Sequence, residues 1–589
     1  MRVTLRIFQG AFSTKAKNLF HVNEYNRICC SLLLRRRFST KDEFVLHGPE
    51  SPVAIPDGTA GEYIHKILLE APKGSKAMID GHSGHYQLYS DLLQKSVNLA
   101  SALRFYGYTN QNTTLSICSE NNLEYFIPIL ASLFNASVMQ PLSSMYTSYE
   151  LKRALELVKP KVVFCSETIA PKISQIKAEG SSGIEKIVLI NSTEQMVKGS
   201  IEPCVEHMKE FTEKALKGQD EDVEAFRPIG GNSRELMAFI CSSSGTTGMP
   251  KGVIQSQLNI LTRLTHGRDP KYYRQEQTDK ILGLLPFFHT YGLTYILGTI
   301  YNLQTIVYLK KFDEDLFLKT IQDFQITVLT LVPPLAIFLA KSEKVLRYDM
   351  SSVQDIYCGA ASLDQGIARE VLKRLKNSSF RQALGLTECT ATVTLINRGD
   401  DKLDSCGQVV SFMSAAVRDP ESGRFLGPGN IGEFCWKGPL VTMGYDKNEK
   451  ATEEAFTSDG WYRSGDLGYY DNNGYFYIVD RLKEIIKYNA YQVSPAELEA
   501  VIINHPDVKD AGVVGKPDEQ AGELPLAFVV KKGDSNITEE QIKNYVKEMV
   551  SPHKQLRGGV IFTDAIPRNP SGKILRKVLK AQINNQNYL

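Results

Sequence analysis

The chain has 589 residues, 42% hydrophobic and 23% charged, with a formal net charge of +2. That length points to several domains, the balance is that of a globular protein, and a nearly neutral charge gives no reason to expect nucleic acid as the main partner. The ten cysteines are scattered without a C-x-x-C pair, which fits reduced thiols and argues against a disulfide scaffold or a zinc module.

The amino-terminal segment carries Arg2, Arg6, Lys15, Lys17, Arg27, Arg35, Arg36 and Arg37 against one acid, Glu24, with apolar residues interleaved. This is the composition of a mitochondrial transit peptide, expected to span residues 1–38 with cleavage after Phe38 in "RRRFST". A matrix location follows as the expectation, with the cytosol as the alternative. The terminal "NYL" does not match the SKL-type peroxisomal address.

Next, "YFIPILASLFNASVM" (Tyr125 to Met139) is too short for a membrane span and is interrupted by Pro128 and Asn135, so it reads as a buried helix. No transmembrane segment is expected. "KVVFCSE" (Lys161 to Glu167), "KIVLINS" (Lys186 to Ser192) and "QTIVYL" (Gln304 to Leu309) read as buried strands, and "GIAREVLKRLKN" (Gly366 to Asn377) as a helix. Such alternation argues α/β layers with largely parallel sheets. The polar stretch from Val197 to Arg234 reads as a surface excursion.

The last hundred or so residues read as a separate, smaller unit, with the boundary in "VDRLKEII" (Val479 to Ile486). There Ser494, Pro495 and Glu497 form a helix start with a capping box, and His505-Pro506 ends that helix. "AGVVG" (Ala511 to Gly515) reads as a strand. Thr538 and Gln541 form a second box, ahead of a core-facing stripe of Ile542, Tyr545, Val546 and Met549.

The chemistry-bearing stretch begins at "FICSSSGTTGMPKGVIQ" (Phe239 to Gln255). Glycines let backbone N–H groups approach an anion closely, and hydroxyls with one lysine complete a phosphate cradle. It is not a Walker loop: Pro250-Lys251-Gly252 stands where Gly-Lys-Ser/Thr would be, so the magnesium-binding hydroxyl is missing. Three further motifs follow in order: "QALGLTE" (Gln382 to Glu388), "GWYRSGDLGYYDNNGYFYIVDRLKEIIKY" (Gly460 to Tyr488) and "PRNPSGKILRK" (Pro567 to Lys577). Together they resemble the acyl-adenylate-forming superfamily, nearest its acyl-CoA synthetase, coumarate-ligase and luciferase branch, over Glu43 to Lys580.

The resemblance implies an α/β fold with a large N-terminal domain of layered subdomains (residues 39–479) and a small, mobile C-terminal α+β domain (residues 480–589). It implies ATP, Mg²⁺ and CoA as co-substrates and cofactor, and a small carboxylic acid as partner. Such an enzyme joins a carboxylate to AMP, so its work is to set positive charge and donors around two anions. Ser243, Ser244, Gly245, Thr246, Thr247, Gly248 and Lys251 would hold the β- and γ-phosphates, with Gly359, Ala360 and Gly385 also in the nucleotide site. Thr387 and Glu388 would complete it, Glu388 on magnesium. Asp466, assisted by Arg481, would accept hydrogen bonds from the ribose. Lys573 would bridge the substrate carboxylate and the α-phosphate. For the thioester step the small domain would swing about Asp480, bringing Lys487 and Ala490 beside the thiol, with His289 near the acyl pocket.

The chain departs from the family pattern at Leu384, where Tyr is usual as a face for adenine, a change expected to weaken stacking by about 1 kcal/mol. Gln257 replaces His, Ser362 replaces Pro, and Ala490 replaces Gly in the thioester loop. The expected function is an AMP-forming acyl-CoA synthetase acting on a medium-chain fatty acid. A luciferase-like mono-oxygenase and a non-catalytic acyl- or nucleotide-binding homologue are the alternatives.

Overall fold

The computed structural model describes residues 43–586 apart from 110, 112, 191–204, 244–250, 275, 362, 483, 489–490, 519–520, 551 and 570–571. The segment at 1–38 expected to be a transit peptide, together with Ser244, Gly245, Thr246, Thr247, Gly248, Ser362 and Ala490, therefore lies outside the described residues. Residues from Phe44 onward form a compact unit built on four sheets among the described residues.

Two large sheets dominate. One has nine strands, with Lys76–Asp80, Thr305–Tyr308, Lys280–Gly283, Val328–Leu331, Asp355–Cys358 and Ser379–Leu386 running parallel and antiparallel strands at both margins. The other has eight, parallel from Met237–Ser243 through Val138–Leu142, Thr114–Cys118, Val162–Cys165 and Lys186–Leu189 to Val205–His207. Inner strands such as Val162–Cys165 and Val328–Leu331 are buried along their whole length, as parallel strands covered on both faces are. Every residue of the helix Phe126–Phe134 is buried, in an apolar cluster that draws on both sheets. A third, antiparallel sheet contains Ser414–Arg418, Gly432–Lys437, Tyr462–Tyr470 and Phe476–Arg481.

The small domain begins its own sheet at Ile486–Tyr488, after the third sheet ends at Arg481. Its central hairpin pairs Val508–Asp518 with Gly522–Lys531. Side chains alternate across it, as strand geometry requires. Val513, Ala527 and Val529 pack with the helices Pro495–Ile503 and Glu539–Met549, while Val514, Leu526, Phe528 and Val530 pack with Leu579 and Ile583 of the helix Arg576–Gln586. The sheet is thus covered on both faces.

Three sequence expectations need correction. Part of the stretch read as a surface excursion forms a strand, Val205–His207, and a helix, Met208–Leu216, which add an edge to the eight-stranded sheet. Ser494 does cap its helix, accepting from Glu497 N–H at 3.3 Å, but the Glu497 carboxylate turns away to Lys554 (2.7 Å), so the box is half made. Met549 is 60% exposed, so the buried stripe of its helix stops short of it.

The helix Ala60–Leu69 lies so close to Phe126–Phe134 that a Cβ at Gly61 would fall 2.1 Å from the Leu133 carbonyl oxygen. Backbone cannot yield as a side-chain tip can. Gly61→Ala is expected to cost about 1–3 kcal/mol through forced separation of the helices. Unchanged thermal and denaturant unfolding midpoints would contradict this close approach.

Candidate active site

A cavity of about 460 Å³, a size suited to a nucleotide-sized ligand, opens between the large domain and the small one. Of the residues singled out by sequence, Ser243, Lys251, His289, Gly359, Ala360, Gly385, Thr387, Glu388, Arg481 and Lys573 line its wall. Asp466 stands directly behind that wall, paired with Arg481. Asp480 and Lys487 are not among the lining residues.

The strands that flank the glycine-rich segment, Met237–Ser243 and Lys251–Ser256, pair antiparallel, so Ser243 and Lys251 are register partners on either side of it. Val253 pairs in turn with Tyr445, and that tyrosine organises two charges. The Lys251 ammonium lies 4.7 Å from its ring centroid, and its hydroxyl donates to Glu388 Oε1 at 3.2 Å. Burial and the Glu388 carboxylate raise the Tyr445 pKa, keeping the phenol protonated as a donor.

Glu388 rides on a single 3-10 turn, Thr387–Cys389. Gln255 Nε2 donates to the Thr387 carbonyl (3.1 Å), Thr442 N–H donates to the Glu388 carbonyl (2.8 Å), and Thr390 Oγ1 donates to the Leu440 carbonyl (3.0 Å). The turn forces Thr390 and Ala391 to φ 48° and 84°, and Ala360 across the cavity sits at φ 74°. Side-chain-bearing residues reach such backbone angles only where their surroundings impose them, which is common at functional sites. Gly385 admits the closest approach here, since a Cβ would lie 2.4 Å from the Ala391 carbonyl oxygen.

Asp466 and Arg481 are register partners on the third sheet, and Arg481 Nε lies 3.0 Å from Asp466 Oδ1. The Asp466 carboxylate raises the Arg481 pKa further. Asp466 is 4% exposed, and its Oδ2 has no hydrogen-bond partner among the described residues. A buried carboxylate oxygen without a donor is costly, and it is the acceptor that a ligand hydroxyl would satisfy.

Lys573 reaches the cavity from a tight turn of the small domain, in which Lys573 N–H donates to Asn569 Oδ1 (2.8 Å) and Asn569 N–H to the Lys573 carbonyl (2.8 Å). Gly572, at φ 81°, seats this turn against the large domain: a Cβ there would lie 3.3 Å from Val332 Cβ. Burial first, and the Arg481 cation second, bring the Lys573 pKa down to about 8.

His289 caps the helix Thr290–Tyr301, its Nδ1 accepting from Tyr291 N–H at 3.3 Å. Desolvation lowers its pKa to about 4, so at neutral pH the ring is uncharged, with its proton on Nε2. Asp480 sits at the junction of the domains. Its strand pairs with Leu467, while its Oδ2 accepts from Ser494 Oγ (2.7 Å) and Ala496 N–H (3.2 Å) at the first small-domain helix. Lys487 is exposed, its N–H donating to Glu523 Oε2 at 3.0 Å.

Two departures noted in the sequence fall away from the cavity. Leu384 is buried in an apolar cluster, while its neighbours Ala383 and Gly385 line the wall, so position 384 presents no face to a ligand in this arrangement. Gln257 is fully buried, its Oε1 accepting from Ala60 N–H at 3.1 Å. Sequence reasoning missed the wall residues Tyr445, Tyr462, Tyr291 and Ala391. The only local signal of the tyrosines is an aromatic near glycine, as in Gly444-Tyr445 and Gly460-Trp461-Tyr462, and Ala391 carries none.

The residues present fit ATP: an unpartnered acceptor at Asp466, cations at Lys251, Arg481 and Lys573, a half-used carboxylate at Glu388, and a wall without side chains at Gly359 and Gly385.

Comparison with known proteins gives the same picture. The family model for AMP-binding enzymes matches residues 69–446, and that for the AMP-binding enzyme C-terminal domain matches residues 497–573. A luciferin 4-monooxygenase of Photuris pensylvanica is 39% identical over 92% of this chain and 98% of its own. A probable CoA ligase of Humulus lupulus is 32% identical over 92% of this chain and 96% of its own. Among solved structures, ATP-bound MatB from Rhodopseudomonas palustris superposes with a TM-score of 0.77 at 26% identity, over 89% of this chain and 98% of that one. The chain belongs to the AMP-binding enzyme family, within the adenylate-forming superfamily that includes both CoA ligases and luciferases.

Proposed function

We propose that this chain is an AMP-forming acyl-CoA ligase that activates a carboxylic acid with ATP and transfers the acyl group to CoA. The observation that carries this reading is the convergence of Lys573, from the small domain, with Arg481, Lys251 and Glu388 on one cavity. A carboxylate and a polyphosphate repel each other, and cations held in a partly desolvated cleft offset that repulsion where charge develops in the transition state.

Lys251 and the glycine-rich segment would hold the terminal phosphates. Glu388 would supply an oxygen ligand to Mg²⁺, which when bound neutralises phosphate charge. Asp466 Oδ2 would accept from the ribose. Lys573, a compact charge on a flexible stem, would draw the acid's carboxylate onto the α-phosphate. His289, neutral and carrying its proton on Nε2, would offer a hydrogen bond near the acid without adding charge.

The thioester step would require the small domain to turn about Asp480, withdrawing Lys573 and presenting the Lys487 face. Asp480 suits a pivot because it is bonded to both domains. A medium-chain fatty acid is the substrate we favour, on the strength of the basic amino-terminal segment as a matrix address. A second reading, a luciferase-like mono-oxygenase, is favoured by the 39% identity to the Photuris enzyme against 32% to the hop ligase.

One assay separates these readings: the chain from Ser39, with ATP, Mg²⁺, CoA and acids graded by length, followed by mass spectrometry for acyl-AMP, AMP and acyl-CoA. Acyl-CoA with equimolar AMP is expected. Light with luciferin and oxygen, in place of acyl-CoA, would favour the mono-oxygenase, and no product from any acid would favour a binding protein. Lys573→Ala is expected to slow acyl-AMP formation by about 100-fold or more, while leaving thioester formation from supplied acyl-AMP intact. An unchanged first step would remove Lys573 from the mechanism. Because the ammonium is the active form, acyl-AMP formation should lose rate as pH rises through about 8, where Nζ deprotonates. An alkaline limb near the ordinary lysine pKa would contradict the desolvated placement.

A further inference from the structure

Outside the residues that face a substrate, a cluster of paired charges lies just behind Lys573. Arg576, the first residue of the last helix, spends its whole guanidinium there. Nε donates to the Val513 carbonyl (3.2 Å), Nη1 to Glu484 Oε2 (2.7 Å), and Nη2 to both oxygens of Glu499 (2.8 Å each). Glu499 Oε1 also accepts from Val513 N–H at 2.8 Å. An arginine with every nitrogen engaged is a fixed point. Through it, the Glu484 carboxylate is fixed as well, although Glu484 belongs to the linker between the domains.

The other oxygen of that carboxylate, Glu484 Oε1, lies 3.9 Å from Lys573 Nζ. This is ion-pair range and longer than a hydrogen bond, so the lysine is attracted without being tied down. The remaining charges facing Lys573 are the cations Arg481 and Arg576 and the carboxylate Asp466, and Asp466 is already committed to Arg481.

We infer that Glu484 is a positioning residue for Lys573: held in place by Arg576, it keeps the ammonium charged at the cavity wall. The role rests on the proposal that Lys573 acts in adenylate formation. The lysine sits among two cations and is largely desolvated, conditions that favour its neutral form. Glu484 opposes both effects, and the gap it leaves allows Nζ to move onto an incoming anion. Because Arg576 and Glu499 belong to the small domain, the counter-charge stays with the lysine in any reorientation of that domain. Lys573 is then never stripped of its partner when it leaves the phosphates.

The test reads the Lys573 pKa directly in the full chain, through the pH dependence of its acetylation by acetic anhydride followed by mass spectrometry. Glu484→Gln is expected to lower that pKa by on the order of one unit, and Glu484→Asp, which keeps a shortened charge, by less. The alkaline limb of acyl-AMP formation should move to lower pH by the same amount, while thioester formation from supplied acyl-AMP keeps its parent profile. The same labelling pKa in the parent and in Glu484→Gln would overturn the proposal, as would an equal change in both half-reactions, the sign of a structural role. If no acid were adenylated, the proposed function would fail, yet the labelling would still decide whether Glu484 sets the state of Lys573.

Discussion

The ion pair between Arg481 and Asp466 is the constraint around which the cavity is built. It closes the end of the third sheet, one residue past the junction at Asp480, and it leaves one carboxylate oxygen buried without a donor among the described residues. Splitting such a pair is strongly destabilising, so the cation on the cavity wall is held in position. Every other charge is set relative to it: Lys573 faces it from the small domain, and Glu388 and Lys251 flank Tyr445 from the large one. The result is a cleft with cations on its wall at Lys251, Arg481 and Lys573 and an unmet acceptor at its back. That combination describes a site for an anion that also carries hydroxyl groups.

Much of this arrangement is legible in the sequence. Ordered motifs name Lys573, Glu388, Arg481 and Asp466, because their chemistry depends on residue type and those types are rare in combination. The small domain is legible from its helix starts, since capping is a local interaction. What the sequence hides depends on register. Tyr445 matters only because its strand pairs with Val253, which brings its ring under Lys251, and no spacing along the chain reports that pairing.

Leu384 shows the opposite error. Judged by its motif alone, it would be a missing adenine face, whereas its side chain is buried in the core while Ala383, Gly385 and Leu386 line the cavity, beside a register shift between Leu384 and Gly385. Neither the motif nor a simple period of two reports a register shift of that kind. Glu497 likewise meets the local rule for a capping box but finds a stronger partner in Lys554, which is distant in sequence. Local signals predict where an element begins more reliably than they predict which partners its side chains choose.

The small domain's sheet is buried on both faces by its own helices, and this bears on how the molecule could work as a machine. A layer that completes its own interior behaves as a rigid block. It meets the large domain where Gly572 packs against Val332 and where Lys341 donates to the Ile503 carbonyl. In the reorientation proposed above, the Lys341 hydrogen bond and the Gly572 contact are among the ties that would have to part, while each core keeps its own packing.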